Sequence, residues 1–152
     1  MTTKAEKEAI GITEVADAPT YDSRFYSGDG TAKALDDVDA KDNDGNLIKN
    51  IDGSQRIILG VKTILKQEEK QIAKGLLNEY DWQIVRKAEK GTAIDSAIVT
   101  YRDGIRTAYT TRKTEIDNCV DTAALGTLYD RQEDGTPNMT QYPDNPYRTQ
   151  PF

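Results

Sequence analysis

Histidine is absent from this 152-residue chain, and cysteine and tryptophan each occur once. Without histidine the commonest general base, proton shuttle and metal ligand are lost together, so any catalysis would rest on paired carboxylates, a lysine or a bound metal. The lone cysteine, Cys119, cannot close an internal disulfide, which fits folding in a reducing compartment. Apolar runs are short: Ile57-Ile58-Leu59 is as long as any, far below the length of a membrane span. The opening MTTKAEKEAIGITEV has no apolar stretch of the kind a secretory signal needs. Aromatic residues make up 7% and hydrophobic residues 36%, with a mean hydropathy of −0.73. Those values are too lean for a large core and too apolar for a disordered chain. They predict one small domain carrying extended arms.

Charged residues account for 30% of the chain, and the net charge of −6 is unevenly spread. The balance is −5 over residues 1–60, +2 over 61–118 and −3 over 119–152. No basic stripe with interleaved aromatics appears, and both ends would repel a phosphate backbone, so nucleic acid is not an expected partner.

Residues 1–33 show no sustained period. Tyr21, Phe25 and Tyr26 cluster there without an opposing apolar face, ahead of a Ser27-Gly28-Asp29-Gly30 turn. An extended arm is expected, its aromatics either folding back on the core or anchoring on another chain. Residues 34–59 read as a small β-hairpin with turns at Asp42-Asn43-Asp44-Gly45-Asn46 and Asp52-Gly53, Leu47 to Ile51 as the return, and Arg56 to Leu59 as a further short segment. No internal repeat is apparent.

From Val61 the period changes to that of a helix. Val61, Ile64, Leu65, Ile72, Ala73, Leu76 and Leu77 share one face and Lys62, Lys66, Lys70 and Lys74 another, predicting a helix over 61–79. A second helix over 95–119 opens on Asp95 or Ser96 as its cap, with Ile98, Tyr101, Ile105, Ala108, Tyr109, Ile116 and Cys119 as its apolar stripe. Gly104 within that stripe predicts close approach by a neighbour. A short third helix follows from Asp121 to about Tyr129. Proline then recurs and residues 131–152 read as an extended tail, whose removal is expected to spare the fold. The expected class is α+β, mainly α: a helical hairpin and short third helix, preceded by the β-hairpin and flanked by arms. Trp82 falls in the joint Glu79–Ile94. It is expected to fold back and plug the open end of the helical hairpin, burying about 200 Å². Ile84 and Val85 would step inward, leaving Arg86 to Lys90 as a solvated turn.

Candidate chemistry is sparse. Asp42, Asp44 and Asn46 suggest a calcium loop, but Gly45 at the sixth position of an EF-hand puts Ala40 at the first and Ile51 at the twelfth, so a local turn is the better reading. Asp36, Asp37 and Asp39 form the densest acidic run, read as a solvated strand edge that discourages pairing. Cys119 sits on an apolar stripe with no histidine to activate it and reads as a buried small hydrophobe. The lysine ridge is a solvated face, available to an acidic partner chain. Asn138-Met139-Thr140 has the form of a glycosylation sequon, without a secretory signal to give it meaning.

The order Leu76-Leu77, Asp81-Trp82, Tyr101-Arg102 and Arg106 resembles the helical segment of bacteriophage tail assembly and tail-fibre assembly proteins. A wider set is similar to small tail-associated proteins of marine and cyanobacterial phages: Tyr21-Asp22-Ser23-Arg24-Phe25-Tyr26, Asp44-Gly45-Asn46, Leu59-Gly60-Val61-Lys62, Val85-Arg86-Lys87-Ala88-Glu89, and Met139-Thr140 to Tyr142-Pro143. It spans most of residues 17–143. Many of those proteins carry a proline beside the start of the second helix. Ile94-Asp95-Ser96 stands here instead, and an aspartate or serine cap is expected to replace it. The resemblance implies a virion protein of the tail region, made in the host cytoplasm, without catalysis, metal or cofactor. Its implied partners are tail or tail-fibre subunits in several copies, not nucleic acid, a membrane or a small-molecule substrate. It would either remain in the particle or act as an assembly chaperone that leaves. Tyr21, Phe25, Tyr26, Tyr142, Tyr147 and Phe152 are then the candidate partner-binding aromatics, and Leu76, Leu77, Asp81, Trp82, Tyr101 and Arg102 the structural joint. A reading from another class is a small metal-dependent enzyme built on Asp36, Asp37 and Asp39.

Overall fold

The computed structural model describes Ile10 and residues 20–148. Its elements run β1 (Val38–Asp39), β2 (Ile57–Ile58), α1 (Val61–Asn78), α2 (Asp81–Lys90), α3 (Ser96–Asn118) and α4 (Thr122–Tyr129). The class is α+β and mainly helical. α1 and α3 form the expected hairpin, each within a residue of its predicted bounds. α2 was not expected: a ten-residue helix stands where a joint and solvated turn were read.

Local chemistry sets the helix ends. α1 starts on Gly60, whose N–H donates to Asp37 Oδ1 at 2.8 Å, while the N–H groups of Val61 and Lys62 donate to the carbonyls of Ala34 and Leu35. A side chain is impossible at Gly60, since a Cβ there would lie 2.3 Å from the Asp36 carbonyl carbon. α2 stops at Gly91, left-handed at φ 69°, with Lys87 and Lys90 in the last turn where the carbonyl ends favour cations. Asp95 caps α3 by accepting from Ala97 N–H at 2.8 Å, and Asp121 caps α4 by accepting from Ala124 N–H at 2.7 Å.

Two apolar clusters hold the hairpin antiparallel. Val61 and Leu65 meet Ile116, Cys119 and Leu125 at one end, and Ala73 meets Tyr101 and Ile105 at the other. The expected stripe of α3 is buried, with Tyr109 at its edge. On α1 the buried line is Val61, Leu65, Glu69 and Ala73. Ile64 and Ile72 are exposed, contrary to the expected face, because each lies about 100° round the helix from that line.

Among the described residues one nine-residue hairpin recurs four times, at 25–33, 40–48, 48–56 and 130–138. In each, the ninth N–H donates to the first carbonyl, the third N–H to the seventh carbonyl, and the sixth residue's N–H to the third carbonyl. The sixth residue is always glycine, at φ 82–86°, where a Cβ would be strained. An aspartate precedes it every time and Thr, Asn or Ser follows. Asp29, Asp52 and Asp134 each accept from the backbone N–H two residues on, at 2.9 Å. Unit 40–48 differs: there Asp42 takes the N–H groups of Asp44 and Asn46. The expectation of no repeat is thus corrected. The shared signal is only Asp-Gly plus a small polar residue, at irregular intervals, which periodicity does not detect.

The two tandem units build a knob. Ala40 N–H donates to the Arg56 carbonyl, Arg56 N–H to that of Ile48, and Ile48 N–H to that of Ala40, closing a three-way ring. The Gln55 side-chain amide lies within 3.0–3.4 Å of the same three carbonyls. β1 and β2 pair antiparallel beside this ring, Val38 opposite Ile58 and Asp39 opposite Ile57.

The chain after the fourth hairpin is a strap laid along the helices. Met139 is buried in the first cluster, and Thr140 donates to the Glu115 carboxylate through both N–H and Oγ1. Pro143 rests on Gly104, where an added Cβ would come within 3.0 Å of its Cγ, which explains the glycine in the stripe. Tyr80 Oη donates to Asn145 Oδ1 at 2.8 Å. Residues 131–138, read as the start of an extended tail, instead complete the fourth hairpin, and residues 149–152 lie outside the described residues. The strap between is packed on the helices, so its removal is expected to disturb the fold rather than spare it. Truncation after Asp130 is predicted to abolish the cooperative urea transition followed by circular dichroism. Met139→Ala alone should cost about 2–5 kcal/mol in the same measurement.

Candidate functional site

The joint between α1 and α3 gathers most of the residues singled out for it. Leu76 and Leu77 pack with Tyr101, and the Tyr80 ring meets the Tyr101 ring edge-on, centroids 6.1 Å apart. Arg102, almost fully buried, donates to the Leu77 carbonyl at the end of α1 and pairs with Asp81 at 2.9 Å. A guanidinium at that point satisfies a carbonyl that the helix leaves open and complements the negative end of the helix dipole.

Trp82 does not join them. It is 53% exposed, and Tyr80 fills the place proposed for it. The reason is the unexpected α2. Helix geometry fixes where each side chain points, and Gln83 faces inward, its Oε1 accepting from Asp95 N–H at 3.2 Å. Trp82, Ile84 and Val85 are thereby turned outward, which also corrects the inward step expected of the last two. Arg86 lies over the indole at 4.8 Å. The helix is inverted, with polar residues inside and apolar ones outside.

A second constellation went unread in the sequence. Glu69, 2% exposed, is gripped by Arg112 through Nε and Nη2, both at 2.7 Å. Tyr142 Oη donates to Glu69 Oε2 at 3.0 Å and Tyr129 Oη lies 3.3 Å from Oε1. Arg112 also donates to the Thr140 carbonyl, and its guanidinium lies over the Tyr142 ring. Every strong acceptor and donor at this centre is engaged. The sequence signal was the spacing: Glu69 lies four residues after Leu65 and four before Ala73, on the buried line.

The candidate partner-binding aromatics divide. Phe25 is 1% exposed, stacked at a tilt on Tyr129 with centroids 5.9 Å apart, so it belongs to the core and cannot serve a partner. The first hairpin carries it inward, and Thr122 Oγ1 bonds the Lys33 carbonyl at the end of the same hairpin. Tyr142 is committed to Glu69. Tyr147 is exposed but donates to Asp95 through its hydroxyl. Tyr21 is exposed and Tyr26, 5.9 Å away between ring centroids, is half-buried. Phe152 lies outside the described residues.

Among the acidic trio, Asp37 is spent on Gly60 N–H, which holds its carboxyl below the ordinary range. Among the described residues no group of three or more potential ligands is arranged to hold a metal ion. Cys119 is buried, its thiol pushed up by desolvation, as expected of a packed hydrophobe. Two of the ridge lysines turn to their own chain, Lys62 to the Asp117 carbonyl and Lys66 to its carboxylate. Among the described residues no helix is long and apolar enough to cross a membrane.

Several large apolar side chains are uncovered. Val38, Leu47, Ile57, Ile58 and Leu59 are all exposed on the knob, with Ile51 wholly so at its tip. Trp82, Ile84, Val85 and Val99 are exposed around α2. Comparison with protein-family models, curated proteins and solved structures finds no match to this chain.

Two outcomes follow from the buried centre. Glu69→Gln leaves Arg112 uncompensated and should cost about 3–5 kcal/mol in urea unfolding. The hydroxyls of Tyr129 and Tyr142 are held above their ordinary 10.0, by burial first and by the Glu69 charge second. The unfolded chain therefore releases protons that the folded chain keeps, so this contribution is whole below pH 10.0 and is lost as pH rises beyond it. Stability measured at stepped alkaline pH should fall there, and the Tyr129→Phe/Tyr142→Phe double variant should flatten the fall.

Proposed function

We propose that this chain is a non-catalytic virion structural protein of a bacteriophage tail or tail fibre, which packs on or links neighbouring tail subunits. The observation that carries the reading is the pair of uncovered apolar surfaces, on the knob and on α2, in a chain whose charged core is already closed on itself. A protein with its polar residues spent internally and its aliphatic residues outside is suited to binding other chains. The resemblance of Leu76-Leu77, Asp81-Trp82 and Tyr101-Arg102 to tail assembly proteins supplies the setting. Five of those six residues meet at one joint, in keeping with a shared scaffold.

On this reading the partners are tail or tail-fibre subunits, several copies are present, and no nucleic acid, membrane, cofactor or small molecule is engaged. Partner contact moves from the arm aromatics first considered to the knob and α2, with Tyr21 and Tyr26 beside them. The metal-dependent alternative loses its basis where Asp37 caps α1. Quantitative mass spectrometry of purified particles is the test. Recovery at a fixed ratio to a tail subunit is expected. Absence from particles, with capture on a fibre chain during assembly, would replace this reading with that of a chaperone that departs.

A further inference from the structure

The two apolar surfaces sit at opposite ends of the helical hairpin. The knob leads directly into the start of α1, and α2 follows its end. α1 has 18 residues and spans about 27 Å, so the knob of a chain cannot reach its own α2. Whatever covers one surface must come from a different molecule, or from a different copy of this one.

The frames of the surfaces differ in sign. Around the knob stand Asp36, Asp39, Asp42, Asp44 and Asp52 against Lys41, Lys49 and Arg56. Asp42 and Asp52 are held ionised by the hairpin N–H groups they accept from. α2 presents Arg86, Lys87 and Lys90 against Glu89, its Asp81 being paired with Arg102, and among the described residues no carboxylate pairs with any of the three cations. Beside it, Ile84, Ile94 and Val99 line a shallow slot closed by Arg102, Asp103 and Arg106. Knob against knob would set a net acidic frame against itself, relieved only by Lys41, Lys49 and Arg56, and α2 against α2 would set three cations against three with Glu89 alone to answer them. Knob against α2 joins aliphatic to aliphatic and acidic rim to basic rim.

We infer that the knob of one copy seats on the α2 face of a second copy, giving a head-to-tail contact between identical chains. Such a contact uses two different patches, so each added copy leaves one of each free, and the assembly closes into a ring or continues as a filament. This deepens the proposed function by naming one partner, and takes only its setting from it.

Sedimentation velocity of the full chain over a concentration series tests the contact. The wild-type protein should gain mass with concentration. Ile51→Asp/Ile58→Asp should abolish this by spoiling the knob, and Trp82→Glu/Val85→Glu by spoiling α2. An equimolar mixture of the two variants keeps one sound knob and one sound α2 face, so it should form a two-chain species and nothing larger. A wild-type protein that stays single, variants that still associate alone, or a mixture that stays single would each overturn the inference. Should a charged variant lose its helical circular dichroism, Ile51→Cys and Val85→Cys proteins replace the pair. Mixed and oxidised, they should yield the mixed disulfide in preference to either homodimer, and equal yields of all three would count against the contact. Absence from particles would remove the tail setting and leave this result standing, and a single chain in solution would do the reverse.

Discussion

The Glu69 carboxylate lies between two helices with almost no access to water, and its charge is answered by a guanidinium that is itself nearly enclosed. Desolvating both ions costs several kcal/mol each, and their attraction offsets this only if geometry is good and the remaining lone pairs are filled. Both conditions hold. The pair is two-pronged, Tyr142 supplies a further hydroxyl and Tyr129 stands at the other oxygen. Arg112 in turn needs the Thr140 carbonyl. One charge on α1 thus requires α3, the end of α4 and the strap to be in place together. The helical hairpin alone leaves this centre half-satisfied, which is worse than leaving it apolar.

That dependence explains how much of the fold was legible. The α1–α3 pairing followed from period, because Leu65, Ala73, Ile98 and Ile105 obey the rule that apolar faces turn inward. The caps Asp95 and Asp121 were legible from local chemistry, as was Gly104, whose missing side chain Pro143 requires. What stayed hidden obeys other rules. Glu69 is charged and buried, and its burial is decided by residues 43 and 73 positions away. The strap has no period, being held by isolated apolar anchors at Met139 and Pro143 and by side-chain hydrogen bonds to Glu115 and Tyr80.

α2 was hidden for the opposite reason. Its residues do have a helical pattern, but the polar side faces the protein and the apolar side faces out, so a reading that assigns apolar residues to the core breaks the segment into a plug and a turn. Leu76, Leu77, Asp81, Tyr101 and Arg102 do come together around it, while Trp82, the most conspicuous of the set, stays outside. It stands outside the hairpin core, under the Arg86 guanidinium. The knob is similar: Ile51, Ile57 and Ile58 have the composition of strand interior, yet Ile51 is fully exposed and the other two are about half so.

The hairpins and the strap also differ in time. Each hairpin closes a loop of eight residue steps, with an Asp-Gly turn that favours the closed form before anything else is in place. The strap closes a loop of 73 between Tyr142 and Glu69. Long-range closures are the slow ones, because the chain entropy is lost before the contacts return it. The knob, the most exposed apolar feature, is thus ready first, while the bond that commits the helices waits for the strap. During that interval the chain has its outermost apolar element complete while its interior is still open.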